Sequence, residues 1–297
     1  MVETLLQGLL LGGLYCLFAL GQSLMFGVMR LTNTAQGDFI ILGAFGGIAG
    51  MSGLASTGAT GSTGNAFTLL FVSLLLLPLA FGFGYALQRY VLNGTLGRDP
   101  LPSLVVTFGL SIVIQNLLLE LFSADPRSIE TQGLNTESLA LPGGLAIGVL
   151  PLLIFCVAVA ATAALQWLFN RTRLGRAFRA VSDDKEIAEL MGLNSNQVYA
   201  LATAIAFVLI AVAGVLQAMR TTVSPSDGPL LLLFAFEAVI IGGMGSFWGT
   251  LVGALLLGLT QQIGFRLDPG WGIWVGHIVF LVVLVLRPQG LFPKTRG

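Results

Sequence analysis

The sequence predicts an all-α fold, a polytopic transmembrane helical bundle of about eight or nine membrane segments. Three observations carry that expectation. Of 297 residues, 55% are hydrophobic and only 9% are charged, where ordinary soluble domains carry about 25% charge. Mean hydropathy is +0.90. The 14 basic and 14 acidic residues are also segregated, because 4–29, 39–88, 100–119, 138–170, 190–219, 238–265 and 269–286 contain none of them. Those stretches make up about two thirds of the chain, so a solvated surface can form only between them. The whole of 1–297 reads as one transmembrane domain.

Most charge-free stretches fit one crossing of about 20 residues, but 39–88 must hold two. The break between them falls in the Gly-, Ser- and Thr-rich tract 52–65. Spans are expected at 4–29, 33–51, 67–90, 101–122, 142–169 and 197–219, with a last one at 271–286. The start, Met-Val-Glu, has no basic n-region, so the first span reads as retained and not as a cleaved signal.

Orientation follows from the basic residues, which favour cytoplasmic loops. Alternating the loops puts Arg30, Arg89, Arg98, Arg171, Arg173, Arg176, Arg179, Lys185, Arg287, Lys294 and Arg296 on one side. Only Arg127, Arg220 and Arg266 fall on the other. The expectation is an N-terminus outside, a cytoplasmic C-terminus and an odd number of crossings. Residues 230–265 must then enter and return, turning at Gly242–Gly249. Residues 230–241 make only about 18 Å of helix, less than the roughly 30 Å hydrocarbon core, so the turn is expected within membrane depth, where irregular backbone must be buried or line a cavity.

A second polar break lies at Thr32–Asp38, inside which the second helix must begin. Each break is expected near the cytoplasmic end of a helix and is followed by a Gly-Ala pair, Gly43-Ala44 or Gly253-Ala254. Two readings fit these pairs: an internal repeat of the transporter kind, or small-residue packing seams.

Several chemistries are excluded or unsupported. Zero net charge, with no basic cluster interleaved with aromatics, argues against nucleic-acid binding. Cys16 and Cys156 lie in apolar runs and read as packing residues. No Gly-x4-Gly-Lys-Ser/Thr exists, because neither Lys185 nor Lys294 follows a glycine, so the chain has no P-loop of its own. No metal, cofactor or catalytic set is indicated. His277 has no partners at ligand spacing and reads as a hydrogen-bonded packing histidine. Glu237 stands in an apolar run, at a cost of order 3 kcal/mol unless it faces a partner or water. It marks either a functional site or a helix-orienting pair. Asp38 suits the first turn of a helix, where free amides and the positive dipole end favour a carboxylate.

The segment 171–194 reads as a cytoplasmic loop with a short helix that Ser182 caps and Gly192 ends. Asp183 and Asp184 occupy its first turn, and Ile187, Leu190 and Met191 share one face. This stripe suits docking to a protein partner, or alternatively lying on lipid headgroups.

Four motifs resemble one known family. Thr172 to Gly192 (Thr-x-Leu-Gly-Arg-Ala-x-Arg-Ala-Val-x-Asp-x-x-x-Ala-x-Leu-Met-Gly) is similar to the cytoplasmic loop of the branched-chain amino acid permeases of bacterial ABC importers. So is Asn33-x-Ala-Gln-Gly-Asp38, where the family usually has His in place of Gln36. Gly242-Gly-x-Gly-Ser-x-x-Gly-x-x-x-Gly-Ala254 and the opening run Gly8 to Gly21 complete the set, in order across nearly the whole chain. The resemblance implies a non-enzymatic permease subunit of the bacterial inner membrane, pairing with a second permease, two ATPase subunits that bind the ATP, and a periplasmic or lipid-anchored substrate-binding protein. It implies alternating access for branched-chain or other hydrophobic amino acids. In this reading Arg176, Arg179, Asp183, Glu186, Ala188, Leu190 and Gly192 dock the ATPase, and Asn33, Gln36, Asp38, Glu237, Gly242, Gly243 and Gly245 lie near the substrate path. Related machinery for urea, short-chain amides or small aromatic acids is the nearest alternative. A channel or ion-coupled carrier using Glu237 and Asp38 is the alternative from another class.

Overall fold

The computed structural model describes residues 2–56, 66–96, 101–131, 133, 137–141 and 145–292. Among these the order is α1 (Val2–Met29), α2 (Gln36–Ser56), α3 (Ala66–Tyr90), a 3₁₀ turn (Leu92–Thr95) and α4 (Leu101–Phe122). A hairpin of β1 (Ser138–Leu141) and β2 (Leu145–Gly148) follows. Then come α5 (Val149–Arg171), α6 (Arg173–Asp183), α7 (Lys185–Leu190), α8 (Ser195–Arg220), α9 (Gly228–Gly242), α10 (Phe247–Leu267) and α11 (Trp271–Leu286). The all-α expectation holds, with the hairpin a small exception.

α1 is the central post. Gly8 and nearly all residues from Leu10 to Met29 are buried, against α5, α8, α9 and most extensively α10. Glycine makes that approach possible: a Cβ at Gly12 would stand 2.6 Å from the Leu255 Cα, and one at Gly258 would strike the Gly12 amide. Lipid tails are as apolar as Leu, so helices in a bilayer associate through such close packing and not through a hydrophobic drive. The two Gly-Ala pairs do the same work: Gly43 lies against Ala211 of α8, and Gly253 against Ala238 and Gly242 of α9. At the periphery, Leu75 and Leu79 of α3, Val105 and Val113 of α4, and Trp274 and Val285 of α11 are exposed, as a lipid-facing surface requires.

Contacts between loops define two ends. At one, the Ser182 hydroxyl donates to the Gly27 carbonyl (2.8 Å) and Asn93 donates to that of Asn196 (3.2 Å). Arg30, Arg89, Arg171, Arg173, Arg176, Arg179, Lys185 and Arg287 gather at this basic end. At the opposite end Arg127 pairs with Val223 in an antiparallel bridge, and Arg266 donates to Thr4 (2.9 Å). Arg98, Lys294, Arg296 and residues 57–65 lie outside the described residues.

Three expectations need correction. The span expected at 142–169 begins only at Val149 in the described residues, because 138–141 and 145–148 pair as antiparallel strands. The loop helix is two helices, not one. Thr172 caps α6 by accepting the Gly175 amide (3.1 Å) and Asp184 caps α7 by accepting that of Ile187 (3.0 Å), while Ser182 spends its hydroxyl on Gly27 instead. The folded-back pair exists as α9 and α10, but its Gly242–Gly249 turn stands at the basic end. There Gly245 lies against Gly27, and Gly243 against the carbonyls of Gln289 and Phe292.

Candidate functional site

The break that does reach into the bundle is the first one. α1 ends at Met29, and Arg30 takes the left-handed conformation (φ 53°) while its amide still bonds the Phe26 carbonyl (2.9 Å). The chain then runs back alongside α1, so that Gln36 Nε2 donates to the Phe18 carbonyl (3.1 Å), near the helix midpoint. Two further helices give the same depth. A Cβ at Gly21 would meet both Gln36 and Ile210, halfway along α8. Thr34 and Asp38 bond Thr107 and Gln115, which bracket the middle of α4. α2 therefore starts midway through the bundle and not at its basic end. The arm is supported by protein: Asn33 Oδ1 accepts the Ala35 amide (3.0 Å), and Thr107 accepts that of Thr34 (3.3 Å).

A second helix begins at the same place from the other side. The segment 221–227 descends from the end of α8, held by the Ser224 amide donating to Asp227 Oδ2 (2.7 Å), and Pro229 sits in the first turn of α9. Gly37 and Gly228 touch. A Cβ at Gly37 would strike the Gly228 carbonyl, and one at Gly228 would strike the Asp38 carboxylate. Two helix N-termini thus face one carboxylate, and each contributes partial positive charge. Asp38 is 2% exposed and accepts from Gln115 Nε2 (2.8 Å). Among the described residues no cationic side chain pairs with it. On the outer face of α4 beside it, Asn116 and Glu120 are exposed although they belong to an apolar helix.

The other buried carboxylate is built differently. Glu237, also 2% exposed, pairs with Nδ1 of His277 on α11, which is the helix-orienting pair expected as one alternative. Phe234, one turn earlier, stacks on His277 (centroids 6.4 Å) and on Tyr15 (4.8 Å), whose hydroxyl donates to Gln261 Oε1 (2.6 Å). Among the described residues, Glu237 Oε2, Gln261 Nε2 and the Oε1 atoms of Gln22 and Gln36 are buried without partners. The structure therefore brings Asn33, Gln36 and Asp38 together and leaves Glu237 about 14 Å farther along α9. Gly242, Gly243 and Gly245 stand beyond it at the basic end. Gln115, Tyr15 and Gln261 were missed by the sequence reading. Their signal was the amide or hydroxyl within an otherwise apolar run.

At the basic end, α6 and α7 project a surface on which Leu190 is 86% and Met191 81% exposed, and Ile187 and Leu174 are exposed as well. Arg176, Asp183 and Glu186 are exposed, and Gly192 ends the unit at φ +86°. Arg179 turns back to the Phe169 carbonyl, and Ala188 is buried against its own chain.

A family described as the permease component of branched-chain amino acid transport systems matches residues 4–287. The chain belongs to this family. A high-affinity branched-chain amino acid transport system permease protein of Pseudomonas aeruginosa, BraD, is 30% identical over 99% of this chain and 96% of its own length. The corresponding protein of Escherichia coli K12, LivH, is 27% identical with the same coverage. A fructose import permease protein of Rhizobium meliloti, FrcC, is 31% identical over 69% of this chain and 60% of its own. As a permease component rich in apolar helices, the chain is a multi-pass inner-membrane protein and a transport subunit.

Proposed function

We propose that this permease subunit moves branched-chain amino acids into the cytoplasm by alternating access. It would work with a second permease, two ATPase subunits that bind the ATP, and an extracytoplasmic substrate-binding protein. End-to-end similarity to BraD and LivH supports the cargo. The observation that carries the mechanism is the pair α6–α7. It shows exposed Leu190 and Met191 on the basic end while anchoring to α1 through Ser182 and to α5 through Arg179. A push on that surface is transmitted to two core helices. The basic end is cytoplasmic in this reading, which places the N-terminus outside and the C-terminus inside.

The substrate path runs past the junction of α2 and α9, with Asp38, Gln36 and Asn33 on its wall. Broken helices whose N-termini meet at mid-depth are the form that transporters use to present polar groups without lipid contact. The test is uptake of labelled leucine by proteoliposomes holding the full complex with its binding protein and internal ATP. Leu190→Asp is expected to leave the permease folded while abolishing both ATPase co-purification and uptake. Leucine uptake by this chain alone, driven by an ion gradient, would overturn the proposal.

A further inference from the structure

Beyond the mid-bundle junction, the end opposite the basic loops carries a pocket that neither the family match nor the proposed path uses. It is about 220 Å³ in volume and lies between α1, the β-hairpin, α5, α8 and α10, with room on the scale of about seven water molecules. Its wall divides by chemistry. Leu6, Leu10 and Ile147 form an apolar side, and Gln7, Gln262 and Arg220 a polar one. The two amides are tied together, with Gln262 Nε2 donating to Gln7 Oε1 (2.8 Å), and Gln7 Nε2 reaches Glu3 (3.3 Å). These amides also line a second hollow of about 390 Å³ that contains Glu3 and Arg266.

Arg220 is the anomaly. It is half-buried in the last turn of α8, yet among the described residues its guanidinium has neither a hydrogen bond nor an ion pair. Arg266, by contrast, is committed to Thr4. A guanidinium offers a planar fork of donors matched to a carboxylate, and leaving it unpaired beside an apolar wall wastes that capacity. The last turn of a helix tolerates a cation through its dipole, but this does not account for the cavity in front of it or for the amide pair beyond. A polar side that carries one cation and two amides, facing an apolar side of three aliphatic residues, is the complement of a hydrophobic amino acid.

We infer that this pocket is an outward-facing subsite for the free branched-chain amino acid. Arg220 receives its α-carboxylate, the amide oxygens of the Gln7–Gln262 pair face its ammonium, and Leu6, Leu10 and Ile147 take the side chain. The inference rests on the import function proposed above. From this subsite Tyr15 leads inward: its hydroxyl bonds Gln261, the neighbour of Gln262, and its ring stacks on Phe234.

The experiment uses the full complex in nanodiscs without ATP and without binding protein, and measures binding of labelled L-leucine. Saturable binding is expected, competed by isoleucine and not by leucinamide, which lacks the carboxylate. Arg220→Gln should weaken it at least about tenfold, the loss of one charge-assisted contact, and Arg220→Lys less. Leu10→Trp, which fills the pocket and keeps the charge, should abolish it. Equal competition by leucinamide, or unchanged binding in Arg220→Gln, overturns the subsite. So does a variant that binds leucine normally but loses affinity for the binding protein, because Arg220 would then serve docking. Uptake by the wild-type complex with its binding protein separates the two proposals. Leucine uptake without direct binding removes only the subsite, whereas no leucine uptake removes the import reading.

Discussion

Asp38 and Glu237 are both 2% exposed carboxylates inside an apolar bundle, yet the protein accommodates them in opposite ways. Asp38 is served by structure close to it: the first turn of its own helix, the start of α9 against it, and the neutral amide of Gln115 (2.8 Å). Glu237 sits in the middle of α9, where no free amides exist, and takes its partner from His277 on another helix. A carboxylate held only by helix ends and neutral donors is not tied to another charged or titratable side chain, as the proposed path requires. Glu237 is instead tied to a side chain of another helix, so its contact also links α11 to α9.

The comparison can be broken most severely at Gly228. Gly228→Val drives a side chain into the Asp38 carboxylate and forces the α2 and α9 starts apart. Overpacking of this kind should cost roughly 3 kcal/mol and lower the melting temperature in detergent more than any other change considered. His277→Ala leaves a buried carboxylate unpaired. Reduced for the partial exposure of the histidine, the loss should be about 2 kcal/mol, and adding Glu237→Gln should recover much of it. Equal melting temperatures for His277→Ala and the double variant would show that the pair does not stabilise the α9–α11 contact. Gln115→Leu removes one donor from Asp38 and should cost about 1 kcal/mol, with no effect at Glu237 because the sites share no partner. Asp38→Asn is the mildest change for the fold, a few tenths of a kcal/mol at a helix N-terminus. Uptake should nevertheless fall severalfold, whereas Glu237→Gln should leave uptake nearly unchanged once folded protein is normalised. Reversed uptake results for these two variants would move the transport role from Asp38 to Glu237.

Much of this arrangement was legible in the residues. Segregated charge located the helices, and the break at Thr32–Asp38 showed that α2 must start within a polar segment, because Gly-rich residues follow too soon for a full crossing. What was not legible was depth. Nothing in the order Asn33-Thr-Ala-Gln-Gly-Asp38 says that the arm folds back as far as Phe18; the contacts with Thr107 and Gln115 set that, from a helix about 75 residues away. The partner of Glu237 was hidden for the same reason, since His277 is 40 residues distant and local periodicity carries no record of it. Ser182 misled because capping preference is local, while its hydroxyl was claimed by the Gly27 carbonyl of α1. The hairpin before α5 was overlooked because short apolar strands resemble helical apolar runs in composition.

The burial of α1 has a consequence for how the protein is made. It is made before every other described helix, but its closest seam, Gly8 and Gly12 against Gly258, joins segments some 250 residues apart. At roughly 5–20 residues per second of synthesis, α1 waits about 12–50 s before its partner exists. During that interval its glycine-lined face meets only lipid or the insertion machinery. The helix that becomes the centre of the finished bundle is therefore its longest-standing exposed surface in the cell, and substitutions there should reduce yield in vivo before they alter the assembled protein.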